Sequence, residues 1–217
     1  MSSKIRDLKL LSASEYAGVN RDDPIRFYHW PVLGRLYRRR VETALAECTG
    51  GDRVLEIGFG SGVTFLNLAD MYAEIYGLDL TSQVDLVRSV FRSHGIEAKL
   101  LNGSVLEMPY PDGQFDTVLL ISILEHLKPA EQLRAFQEIS RVLRNGGQVV
   151  YGVPVERPLM ALMFRVLGYN IKKHHFSSEK DVAEAAEALF HRVRITEMQA
   201  SPGFLGSVYQ VGHFVKV

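Results

Sequence analysis

Short apolar runs alternate along this chain with amphipathic stretches, the pattern of strands buried on both faces and separated by covering helices. Val54, Leu55 and Ile57 form the first run, and Gly58, Gly60 and Gly62 end it abruptly before Thr64–Ala69 continues with helical character. Glu74–Leu80 predicts the second strand, with Thr81 and Ser82 available to cap a helix over Gln83–His94. Glu97–Leu101 reads as a short third strand, and Thr117–Ile121, the most apolar run, as a central one. Leu133, Phe136, Ile139, Val142 and Leu143 recur at helical spacing, so Pro129–Leu143 predicts a covering helix with Asn145-Gly146-Gly147 as its left-handed stop. Gln148–Val153 is then the fifth strand. Ser178 is placed to cap a helix over Glu179–Phe190, and Arg192–Met198 and Val208–Val217 alternate as an antiparallel pair around the turn-rich Ser201–Gly206.

Ahead of the first strand the pattern changes. Asp22-Asp23-Pro24 predicts the entry to a helix near Ile25, and Pro31 with Gly34 predicts two helices or a kinked one rather than a straight rod. Leu33, Leu36, Val41, Ala44 and Leu45 carry its apolar face toward Glu47. The aromatics between Tyr16 and Trp30, with Tyr37, read as packing or as a recognition lid. Arg38–Arg40 reads as a solvated face or as a contact for an anionic substrate or a membrane surface.

At 217 residues, with 47% hydrophobic and 23% charged positions, the chain suits one α/β domain with a small cap. It divides into an N-terminal helical or lid segment at 1–48, a cofactor-binding core at 49–153, a cap insertion at 154–178, and a C-terminal helix and hairpin at 179–217. Lys+Arg and Asp+Glu balance at 25 each, so no global field favours nucleic acid or an anionic membrane. The single cysteine, Cys48, excludes an internal disulfide, and no metal-ligand cluster has ligand spacing, so no metal is expected. With no signal-type or membrane-length apolar stretch, the reading is a cytoplasmic protein.

Strand, glycine turn and helix N-terminus in that order make a nucleotide-type corner. A dinucleotide fingerprint would carry its third glycine at position 63, which is Val63; here the glycines stand at alternate positions, with Glu56 two residues before the first. A carboxylate inside the turn would repel a pyrophosphate and suits a ligand bearing an ammonium group. Asp79, 17 residues past Gly62, ends the second strand where a carboxylate can accept from both hydroxyls of a ribose.

Glu56-Ile57-Gly58-Phe59-Gly60-Ser61-Gly62 is similar to the first motif of the class I methyltransferases that use S-adenosylmethionine, and Gly77-Leu78-Asp79-Leu80 to their second. Met108–Asp116, Leu124-Glu125-His126-Leu127 and Leu143–Gly147 resemble segments of their small-molecule, type 11-like branch. The resemblance implies a seven-stranded mixed sheet of order 3-2-1-4-5-7-6 with strand 7 antiparallel, sandwiched by helices. It assigns the donor to Glu56, Gly58, Gly60, Gly62, Asp79, Leu80, Ser104, Val105, Ile121 and Ser122. Ser104 departs from the Asp usual there, which leaves the Val105 amide as the firmer adenine contact. No N/D-P-P-Y/F tetrapeptide follows the fourth strand.

Methyl transfer to an O, N or C atom of a small molecule, with S-adenosylhomocysteine as product, is the implied reaction. Because positioning can suffice, His126 reads as an orienting residue or a general base, and His175 as a base or substrate contact. Leu159–Leu167 reads as part of an acceptor cap, which would suit an apolar or lipid-like acceptor, or else as a membrane or dimer contact. A non-catalytic donor-binding scaffold and, behind it, a nicotinamide-dependent reductase are the competing readings; the oligomeric state stays open.

Overall fold

The computed structural model describes residues 7–16, 19, 25–31, 33–155, 176–199 and 206–217. The Asp22-Asp23-Pro24 entry, Leu159–Leu167 with nearly all of the cap insertion, His175, and most of the Ser201–Gly206 connection lie outside these residues.

Seven strands form one sheet of order β3-β2-β1-β4-β5-β7-β6. They are β1 (Gly51–Ile57), β2 (Tyr72–Asp79), β3 (Ala98–Asn102), β4 (Phe115–Ile121), β5 (Leu143–Pro154), β6 (His191–Gln199) and β7 (Ser207–Val215). The first five pair in parallel, and β7 runs antiparallel to both β5 and β6. Strand order and direction are those implied by the family resemblance. In β4 only Asp116 and Ile121 are less than fully enclosed, which is what a strand covered on both faces requires.

Six α-helices among the described residues surround the sheet: α1 (Ile25–Tyr28), α2 (Leu33–Glu47), α3 (Phe65–Ala69), α4 (Val84–Arg92), α5 (Pro129–Val142) and α6 (Glu179–Glu187). One core face joins Val41, Ala44 and Leu45 of α2 to Phe65, Phe91, Leu119, Val150 and Tyr209. The other joins Phe136, Ile139 and Val142 of α5 and Val182 and Ala186 of α6 to Leu55, Val118, Leu120 and Phe214. The N-terminal stretch forms two helices, as Pro31 and Gly34 suggested: a Cβ on Gly34 would stand 2.7 Å from the Tyr28 carbonyl oxygen, so the helices pack closely only because that atom is missing.

Local capping departs from the sequence reading twice. Helix α5 stops at Val142, and Leu143 is already extended and paired with Phe115, so Asn145-Gly146-Gly147 lies within β5; Gly146, at φ 71°, forms an irregularity in the strand rather than a helix stop. The pairing partner on β4 outcompeted the local glycine signal. Neither Thr81 nor Ser82 caps α4, whose N-cap is Gln83; the Ser82 hydroxyl instead donates to the Gly60 carbonyl at 3.1 Å. Ser178 caps α6 as expected, in a reciprocal box with Asp181.

Candidate active site

Strand register brings the predicted donor residues to one edge. Ile57 pairs with Leu78 on one side and Leu120 on the other, while Asp79 pairs with Asn102 and Ile121 with Gly152. The next residues, Gly58, Asp79 and Ile121, therefore stand level at the carboxyl ends of adjacent strands, where open α/β sheets bind ligands.

The glycine turn is held from below and from the side. Gly58 N donates to Leu78 O at 2.8 Å, and Gly58, Gly60 and Gly62 adopt φ of 72°, 52° and 73°, the left-handed region that disfavours side chains. A Cβ on Gly58 would stand 2.0 Å from Ile123 Cδ1, and one on Gly62 would meet Phe91 and Phe65. Phe59, 2% exposed, points down into the space that Gly77 leaves open. Packing thus fixes the alternate residues inward and turns the glycine backbone outward.

Two carboxylates flank this turn. Glu56, 3% exposed, accepts from the Thr64 hydroxyl at the start of α3. Asp79 accepts from Gly60 N at 3.0 Å through one oxygen and from Thr81 N and Ser82 N at 2.9 and 2.8 Å through the other. A carboxylate has about four acceptor sites, so Asp79 organises both strand ends and still has capacity for a hydroxyl. Leu80 beside it is 72% exposed, an open apolar surface at the edge of the crevice. The Ser104 hydroxyl accepts from Leu106 N at 3.1 Å, so it holds its own turn, and Val105 is buried beneath it.

Beyond β4 the chain is strained. Ser122, at φ 58°, is the single non-glycine with positive φ among the described residues; its amide donates to Gly152 O at 2.8 Å, which pins that conformation. Its hydroxyl lies 3.0 Å from Tyr209 Oη and accepts a long bond, 3.4 Å, from Arg40. His126 is exposed on the 3-10 turn Leu124–His126, and the enclosed ionisable group there is its neighbour Glu125, 3% exposed. Burial pushes the Glu125 carboxyl up to about 8, against some opposition from Arg40.

The sequence reading does not single out Tyr209, includes Glu125 only within the Leu124–Leu127 segment, and Arg40 only as part of the Arg38–Arg40 patch, read as a solvated face or an anionic-substrate or membrane contact. Arg40 had a signal: it lies four residues before Ala44, on the stripe with Tyr37, Val41 and Ala44, so one arginine of the patch had to face inward. Among the described residues no group of three His, Cys, Asp or Glu side chains is arranged to hold a metal ion.

Residues 55–151 match the family described as Methyltransferase domain. That match, with the strand order above, supports a class I S-adenosylmethionine-dependent methyltransferase. The chain is 34% identical over 110 residues to the ajmaline N-methyltransferase of Rauvolfia serpentina, covering 49% of this chain and 37% of that one. It is 30% identical over 167 residues to the fatty-acid O-methyltransferase of Mycolicibacterium smegmatis, covering 70% and 58%. The chain therefore spans little more than a third of the first relative and less than two thirds of the second. The N-methyltransferase NodS from Bradyrhizobium japonicum, solved with S-adenosyl-L-homocysteine, shares the fold at a TM-score of 0.66 and 17% identity, covering 94% of this chain and 95% of that one. No helix among the described residues is long and apolar enough to cross a membrane.

The raised Glu125 carboxyl makes a sign-specific prediction. Between its ordinary 4.5 and about 8 the folded protein holds a proton that the unfolded chain has released. Stability must therefore fall as pH rises through that window, being unaffected below it. Glu125→Gln removes this dependence. Urea denaturation of both proteins should show the variant gaining on the parent by about 1.4 kcal/mol per pH unit between pH ~5.5 and ~7. Parallel loss of stability in the two proteins would show that Glu125 is ionised.

Proposed function

We propose that this protein transfers a methyl group from S-adenosylmethionine to a small-molecule acceptor, and that Glu56, the Gly58–Gly62 turn and Asp79 hold the donor. The observation that carries this reading is the pairing of two carboxylates with a glycine turn that exposes its backbone and holds no basic side chain. A phosphate-bearing cofactor would be repelled there, whereas a ligand with an ammonium group and a ribose diol is matched at both ends. When bound, the donor supplies a methyl group already activated by its sulfonium.

The chain's own residues then have three tasks. Glu56 and the turn amides take the donor's amino-acid end, and Asp79 accepts from the ribose hydroxyls, fixing rotation about the crevice. Leu80 offers an apolar face to the adenine, and the Val105 amide an edge contact. Ile121 and Ser122, level with the turn, border the point where donor and acceptor meet. Positioning within an enclosed crevice supplies most of the acceleration, so His126 and His175 serve to orient the acceptor, and neither is required as a base.

An apolar acceptor suits the Leu159–Leu167 segment, and methylation of a fatty acid by one relative makes an amphiphilic substrate the first class to test. Incubation with methyl-labelled donor and a cell extract should give a labelled small molecule. Donor binding without any labelled product would indicate a scaffold that keeps the fold and not the reaction.

A further inference from the structure

We infer that Arg40, Ser122, Glu125 and Tyr209 form the head-group site for the acceptor, and that it receives a carboxylate, so that the substrate class is an organic acid. This rests on the donor assignment above, because it takes the remaining half of the same crevice. Helix α2 lies across β5, β6 and β7, and Tyr209 rests over Gly152, whose Cβ would stand 2.6 Å from its ring. Arg40 is thus on the β5–β7 side, whereas Glu56 and Asp79 mark the donor on the β1–β2 side.

Charge is the deciding feature. The Arg40 guanidinium sits 4.3 Å from the Tyr37 ring centroid and 5.4 Å from that of Tyr209. It occupies the aromatic surface that would otherwise suit a cationic amine. Its Nε is sealed from solvent with no hydrogen-bond partner among the described residues, and its contact with Ser122 is long at 3.4 Å. Guanidinium stays charged under all ordinary conditions and carries five donors.

The groups around it cannot balance that charge. Burial pushes the Tyr209 hydroxyl up, and it stays neutral. Burial also raises the Glu125 carboxyl to about 8, so it is a neutral proton donor at pH 7, and its Oε2 is sealed without a partner among the described residues. A partly buried cation held by Tyr28, the Ser122 hydroxyl and two aromatic rings, with no carboxylate bonded to it among the described residues, is complementary to one ligand chemistry. A carboxylate accepts from Arg40 through one oxygen and from Glu125 through the other. Arg40 as a whole is only partly buried, so the site is open to solvent.

Titration calorimetry with octanoate, octylamine and octanol, on protein saturated with S-adenosylhomocysteine, tests this without relying on turnover. Octanoate should bind at least tenfold more tightly than either of the others. Arg40→Gln should reduce octanoate affinity at least 30-fold, and Glu125→Ala about tenfold, while Glu125→Gln, which keeps a neutral donor, retains most of it. Affinity for S-adenosylhomocysteine should change less than threefold in all three variants, which also reports on folding. Preference for octylamine, equal binding of the three probes, or loss of S-adenosylhomocysteine affinity in Arg40→Gln would overturn the inference; the last would give Arg40 to the donor's own carboxylate. If Arg40→Gln does not fold, the three-probe comparison on the parent decides alone. Failure of the parent to bind S-adenosylhomocysteine would instead defeat the donor assignment.

Discussion

Asp79→Ala is expected to weaken S-adenosylmethionine binding by 100-fold or more. The carboxylate accepts from the Gly60, Thr81 and Ser82 amides, so it sets the mutual position of the glycine turn and the end of β2 before any ligand arrives. Charge-assisted hydrogen bonds of this kind contribute about 1.5–3 kcal/mol each, and the ribose contact is lost as well. Asp79→Asn keeps one carbonyl acceptor and should fall between the two, at roughly tenfold. Calorimetry on the three proteins measures this order; a variant lacking the carboxylate yet binding normally would remove Asp79 from the site. Thermal melting of the ligand-free proteins separates the organising role, since Asp79→Ala should also lower the midpoint.

Gly58→Ala carries the second large effect, on folding and on binding together. At φ 72° an L-residue costs about 1–2 kcal/mol, and the new methyl would stand 2.0 Å from Ile123 Cδ1. Ile123 must swing away, and it is the residue that links strained Ser122 to the Leu124–His126 turn. A total loss of about 3 kcal/mol or more is expected in urea denaturation. The double variant Gly58→Ala with Ile123→Ala should recover the steric part and leave the backbone part. Equal stability of single and double variants would show that Ile123 does not press on the turn.

The residues proposed to hold the donor were legible in the sequence, whereas those proposed for the acceptor were legible only in part, for physical reasons. Strands β1, β2 and β4 declare themselves as apolar runs, and register then carries Gly58, Asp79 and Ile121 to one level, so residues far apart in sequence could be grouped from pattern alone. The proposed acceptor site depends on how a pair of helices crosses a sheet. Three consecutive arginines look alike in sequence, but Arg38 donates to the Tyr28 carbonyl at 2.9 Å, Arg39 is exposed, and Arg40 turns toward Ser122. Local signals misled where a tertiary partner competed: Gly146 resembled a helix stop until Leu143 found Phe115, and Ser82 resembled a cap until the Gly60 carbonyl lay within reach. His126 drew attention as a titratable side chain, yet the Glu125 carboxyl beside it is the one removed from water, and burial has no signature in a three-residue turn.

The central claim is that the corner between β1 and β2 binds a sulfonium nucleoside. Calorimetric titration of the parent protein with S-adenosylmethionine, S-adenosylhomocysteine and NADH tests it most directly. Saturable one-to-one binding of both methionine nucleosides, with no detectable heat from NADH, is the predicted result. Binding of NADH alone, or of none of the three, would contradict it.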